Sequence, residues 1–221
     1  MTKKLVSMFA LVLCLGWAGA ALGGPLGLDD IEFWVGAGSN RAGFVIDWND
    51  GPSPQALAWG YRWDGQATGW DMLTAIVGQT DIYTYDEHGE VDSITTITGA
   101  DPHLTARMTD FGWGTMVDGF AYESDDLSHP PTTTDWWSYW TSEDGVVWDS
   151  AMVGMTDRIL ADGDWDGWGF ELNNTSWDAA NPPENPAPAP SAGSPPVPEP
   201  AGLAGLGLAL TAILRGRRRR A

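Results

Sequence analysis

From residue 57 to residue 63 the chain reads LAWGYRW, and every second position carries a large apolar or aromatic side chain: Leu57, Trp59, Tyr61 and Trp63. Period two is the repeat of a β-strand, whose successive side chains point to opposite faces. Ala58, Gly60 and Arg62 share the other face, so the segment reads as a half-buried strand. GFVIDWNDG repeats the pattern through Phe44, Ile46 and Trp48, and Asn49-Asp50-Gly51 then turns the chain. WWSYWTSEDGVVWDS reads as a hairpin. In it Trp136, Ser138 and Trp140 alternate with Trp137, Tyr139 and Thr141, and Glu143-Asp144-Gly145 supplies the turn. A last strand is expected at Trp165, Trp168 and Phe170.

One segment changes period. In ATGWDMLTAIVGQ, Met72, Leu73, Ala75 and Ile76 recur at helical spacing. Thr68 with Asp71 three residues on has the form of a capping box, and Gly78 is a natural stop. The expected order is therefore strand, strand, helix, then several more strands, with an exposed loop at Pro130-Pro131 and Thr132–Thr134. The fold class is mainly β (α+β): a mixed or antiparallel, tryptophan-rich sheet with one short helix.

The ends have a different chemistry. Lys3 and Lys4, the apolar run Leu5–Leu15 and the small residues Ala18-Gly19-Ala20 make a signal peptide over residues 1–24. Cys14 lies inside the apolar run behind Leu13, which argues against a lipoprotein. It is the only cysteine, so cleavage leaves a chain without disulfides. Residues 25–180 suit one exported domain. Residues 181–196 are rich in proline and read as an extended, disordered linker. Ala201–Leu214 carries no charge, but as helix it spans only about 21 Å at about 1.5 Å per residue. That is short of a hydrocarbon core about 30 Å thick, so it reads as a marginal transmembrane segment. Arg215 and Arg217–Arg220 form a stop-transfer cluster that the positive-inside tendency holds in the cytoplasm.

All 30 acidic residues lie between Asp29 and Glu199, where the only basic residues besides histidine are Arg41, Arg62, Arg107 and Arg158. The exported portion is thus 26 charges negative. Such a surface repels nucleic acid and anionic polysaccharide and attracts divalent cations. High charge alone would suggest disorder, but 13 of the 14 tryptophans lie in the same stretch, which demands a packed core.

Pro198-Glu199-Pro200, a glycine- and leucine-rich run and terminal arginines (Arg215, Arg217, Arg218, Arg219, Arg220), in that order over residues 197–221, resemble the PEP-CTERM sorting signal of Gram-negative bacteria. That resemblance implies passage through the Sec translocon, transient insertion in the inner membrane and processing by the transpeptidase exosortase near the PEP motif. Delivery to the cell surface or extracellular matrix, often beside exopolysaccharide, would follow. A second resemblance is carried by TGWDMLTAI, DFGWGTMVDGFAY, WWSYWTSEDG and LADGDWDGWGF, roughly Thr68–Phe170. These segments are similar to the transcobalamin-like C-terminal domain, which implies a β-grasp-like fold and relatives that bind or enclose a corrinoid or another small ligand. The N-terminal strands fall outside that match.

No catalytic motif stands out. The histidines His88, His103 and His129 sit in separate stretches without metal-ligand spacing, and no nucleophile motif or phosphate loop is present. The expectation is a non-enzymatic module. Two kinds of site remain open. DGDWDG places Asp162, Asp164 and Asp166 at alternate positions before a glycine, like the opening of a Ca²⁺ loop, although Asn173 stands where a bidentate carboxylate would be needed. The same residues also read as a tight turn between strands. Trp136, Trp137 and Trp140 are the candidates for an exposed stacking surface, because adjacent strand residues cannot share a face. One reading is a binding module for a saccharide or small ligand; the other is an acidic, Ca²⁺-responsive matrix protein without a discrete ligand.

Overall fold

The computed structural model describes residues 26–49, 56–123, 132, 134–176 and 178–191. The expected signal peptide, His129, the loop at Pro130-Pro131 and everything from residue 192 onward, including the PEP motif, apolar run and arginine cluster, lie outside the described residues. No helix among the described residues is long and apolar enough to cross a membrane.

The protein is mainly β with mixed sheets. A short 3₁₀ turn, Leu28–Asp30, precedes β1 (Trp34–Gly36), β2 (Asn40–Asp47) and β3 (Ala56–Trp63). The helix α1 (Gly69–Ile76) follows, then β4 (Val77–Tyr85), β5 (Val91–Ile97), β6 (Asp101–Asp110) and β7 (Thr115–Tyr122). The chain closes with β8 (Trp136–Ser142), β9 (Asp149–Ser150), β10 (Trp165–Glu171) and β11 (Ala187–Pro188). Seven strands form one sheet in the order β1-β3-β2-β10-β8-β9, with β11 also pairing with β3. The other four form a second sheet in the order β5-β4-β6-β7.

The strands predicted from period two are present with the predicted faces. Phe44, Ile46, Trp59, Trp63, Trp137, Trp168 and Phe170 all point into one core, with Leu57, Tyr61 and Trp48 packed against it. The second sheet supplies Leu104, Ala106, Met108, Val117 and Phe120 to the same core. Aromatic contacts join the layers: Phe120 meets the edge of Trp137 with ring centroids 5.1 Å apart. Trp48 Nε1 donates to the Phe120 carbonyl at 2.7 Å, and Trp59 Nε1 donates to the buried Asp101 carboxylate at 2.7 Å. The core therefore lies between two sheets, with α1 contributing Met72, Leu73 and Ile76 to it. That layering differs from the β-grasp-like expectation of one sheet packed on one helix.

The helix begins as its sequence dictates. Asp71 N–H donates to Thr68 Oγ1, while the Asp71 carboxylate accepts from the Thr68 amide, completing the capping box. It ends earlier than Gly78 suggested, because Val77 is already extended and opens β4. Gly78 is required for a different reason: a Cβ there would lie 2.0 Å from the Asp101 carbonyl oxygen, so β6 can approach only glycine.

The seven-stranded sheet is covered on its second face as well, which corrects the half-buried reading. Across four adjacent strands, Trp34 pairs with Gly60, Gly60 with Gly43, and Gly43 with Trp165. Both indoles fold inward over the glycines, so closely that a Cβ on Gly43 would lie 2.1 Å from the Trp165 ring. The ring recovers the packing surface that a mid-strand glycine gives up. Ile31, Val45, Ala56 and Ala58 complete this outer cluster.

The first part of the expected linker also belongs to the folded body. Residues 180–189 cross the outer face of the large sheet as a strap. Pro183 lies over Gly167 and the Asn181 carbonyl over Gly169, both closer than a Cβ would permit. Ala187 and Pro188 then pair with Leu57 and Ala58 at the edge of β3. Ala189, fully buried, donates its amide to the Ala58 carbonyl at 2.8 Å. The extended backbone that proline favours is the backbone an edge strand needs, and proline is tolerated there.

Candidate functional site

The DGDWDG segment folds as the turn that its Asp-Gly pair predicted. Gly163 takes a φ of 99°, and its amide donates to the Arg41 carbonyl at 2.8 Å. The three aspartates do not converge on one point. Asp162 accepts from the Arg41 amide at 2.8 Å. Asp164 and Asp166 both turn to Arg158, at 2.7 Å from Nη2 and 3.3 Å from Nε respectively. A guanidinium thus stands where the spacing placed Ca²⁺. Among the described residues no group of three or more His, Cys, Asp or Glu side chains could hold a metal ion.

Asp166 is only 1% exposed, and Tyr139 donates its hydroxyl to it. Burial pushes the Asp166 carboxyl up to about 6 against the pull of Tyr139 and Arg158. Burial, and then the Asp166 charge, push Tyr139 far up as well, so it remains a donor. Gly69 at the start of α1 seals the pair: a Cβ there would sit 2.6 Å from the Tyr139 hydroxyl. The cluster works as a lock between β8, β10 and the start of α1.

The tryptophans predicted to be exposed are not. Trp137 and Trp140 are each 6% exposed, and Trp136 is half-buried. Trp137 packs against Phe120 and Phe170 in the core. Trp140 points to the other face, where its Nε1 donates to Ser138 Oγ at 2.7 Å. The alternation holds, but the strap and Trp148 cover the face that alternation alone would leave to solvent.

The exposed aromatic surface lies elsewhere. At the tip of the β6–β7 hairpin, DFGWGT projects Trp113 at 79% exposure and Phe111 at 50%. Their rings stack with centroids 5.6 Å apart and planes 23° from parallel. The turn that carries them is well bonded. Phe111 N–H donates to the Gly114 carbonyl at 3.0 Å, Gly112 N–H donates to Asp110 Oδ1 at 2.7 Å, and Gly112 has a φ of 77°. Met116, also exposed, adjoins the tip. The sequence carried a signal here: an aromatic pair interleaved with glycines makes a turn, and the alternation that buries strand tryptophans does not apply to it.

A second opening lies under the strap. It is a cavity of about 200 Å³, lined among others by Asp47, Asn49, Gly169, Asn181 and Glu184. The strap residues that line it are held by Glu171, which is wholly buried. Glu171 accepts from the amides of Ala180 (2.9 Å) and Asn181 (3.0 Å) and from the Asn174 side chain (3.0 Å). Burial opposes its charge, but these donors outweigh burial and hold the carboxyl below its ordinary value. Among the described residues no cationic side chain lines the cavity, so its chemistry suits hydroxyl or amine donors rather than anions.

No protein-family model, no curated protein and no solved structure matches this chain.

Proposed function

We propose that this is an exported, non-enzymatic surface module that engages neutral polysaccharide through the stacked pair Phe111 and Trp113. The observation that carries the reading is Trp113 itself. An indole held almost bare on a well-bonded turn forgoes the large burial that tryptophan usually gains, and it offers a flat apolar face to a sugar ring. The net charge of the exported portion selects against anionic chains and leaves neutral ones unopposed. A corrinoid, suggested by the weaker family resemblance, is the alternative ligand and belongs in the same titration panel.

Retention on gels containing neutral polysaccharide tests the binding step. Trp113→Ala should lose at least tenfold in affinity, about 1.4 kcal/mol. Its melting temperature should hardly move, since exposed substitutions cost about 0.5 kcal/mol or less. Equal retention of the two proteins would sink the reading.

The route to the surface follows from the tail's resemblance to a PEP-CTERM signal, with exosortase and the Sec translocon as partners. Replacing Arg217–Arg220 with alanine, or deleting residues 197–200, is expected to leave protein unprocessed in the inner membrane. Pulse-chase with cell fractionation reads this directly, and normal processing of both variants would remove the sorting assignment.

A further inference from the structure

We propose that β5 is a pairing edge at which two copies of this chain join antiparallel, centred on Thr95. β5 ends the four-stranded sheet, bonded on one side to β4, and among the described residues nothing pairs with its other side. Six of its seven residues are exposed and Ile97 is half-buried. A strand end of this kind presents unpaired backbone donors and acceptors, and proteins that must stay single guard it with proline, lysine, charge or a bulge. Here the guard is confined to the strand's start. The register with β4 skips Asp92, which is bulged out between Val91 and Ser93. Ser93-Ile94-Thr95-Thr96-Ile97 continues with regular pairing and has no charge, proline or glycine.

The occupant is a second copy because the strand suits itself in one orientation. A two-fold axis at Thr95 sets Thr95 opposite Thr95, a favourable cross-strand pair, with Ile94 opposite Thr96 and Ser93 opposite Ile97, so that no like charges face each other. It uses the whole regular segment and leaves the bulged Asp92 outside. The orientation also handles the charge. The β4–β5 turn carries Asp86, Glu87 and Glu90. Antiparallel pairing sets that turn beside Thr98-Gly99-Ala100 of the other copy, which bears no charge. The two acidic turns then lie about 30 Å apart at about 3.4 Å per residue, well beyond a Debye length of about 8 Å. Parallel pairing would set them side by side.

Site-directed crosslinking of the full chain tests this, in a Cys14→Ser background that carries no other cysteine. Directly opposed antiparallel residues have Cα atoms about 4.5–5.5 Å apart, within disulfide reach. Thr95→Cys should therefore form a disulfide-linked dimer under mild oxidation. Ser93→Cys places its two thiols about 14 Å apart and should crosslink at least tenfold more slowly. Both positions are exposed, so both variants should fold. Equal rates at the two sites, or no dimer at Thr95→Cys, would overturn the proposal. A monomer whose β5 amides exchange slowly with deuterium would also overturn it, by giving the edge to another segment of the same chain.

Discussion

Arg158→Ala should cost the fold about 3–5 kcal/mol at pH 7.5 and much less at pH 5. Among the described residues Arg158 is the only cation paired with Asp164 and Asp166, and both carboxylates are largely buried. Removing one partner of a buried ion pair leaves an uncompensated charge, which is where a cost of about 3–5 kcal/mol arises. The pH dependence follows from Asp166, whose carboxyl burial has raised from 3.8 to about 6. A group with a raised folded value contributes stability that is fully present below its unfolded value. That contribution is lost as pH rises through the folded value. In the native protein the loss falls between about pH 4 and pH 6. Without Arg158, which pulls the value down, the window moves higher and the penalty at neutral pH grows. Urea denaturation at the two pH values measures this, and Arg158→Ala combined with Asp166→Asn should recover much of the loss. An equal cost at both pH values would show that the pairing with Asp166 is not its source.

Glu171→Ala should be nearly as damaging and should act first on the strap. The lost carboxylate accepts four hydrogen bonds, from the amides of Ala180 and Asn181 and from the side chains of Asn174 and Asn181. Bonds to a charged group are worth about 1.5–3 kcal/mol each, but a freed strap can turn its donors to water, so a total of about 3–4 kcal/mol is expected. Hydrogen exchange should quicken across residues 178–191 before the sheets open. Acid should mimic the variant. The Glu171 carboxyl is held below its ordinary 4.5, so its contribution is present above that value and disappears as pH falls through the lower folded one. Unchanged exchange in the strap, with stability lost elsewhere, would contradict this assignment.

Much of the large sheet was legible because strand alternation leaves a direct mark. Leu57, Trp59, Tyr61 and Trp63 declare a face, and so do Phe44 and Ile46. Thr68 and Asp71 likewise announce a helix start by local chemistry. What alternation cannot say is whether the second face is covered, since that depends on segments far away in the chain. Trp140 is buried by a strap some 40 residues downstream. The strap itself looked like a linker because proline-rich backbone is extended whether free or docked. The parallel pairing of β2 with β10 joins positions more than 110 residues apart, and no local pattern encodes it. At DGDWDG the spacing showed that oxygens gather, but the cation they meet is Arg158, a few residues upstream. Trp113 lies in DFGWG, where flanking glycines mark a turn, but the wealth of tryptophan in the strands masks that local signal.

The most direct measurement is an indole N–H spectrum of the folded protein during titration with neutral polysaccharide. The account predicts that the Trp113 resonance shifts with ligand while those of Trp59, Trp137 and Trp140 stay fixed. Shifts at any of these buried indoles with Trp113 unmoved, or no shift across the panel, would contradict it.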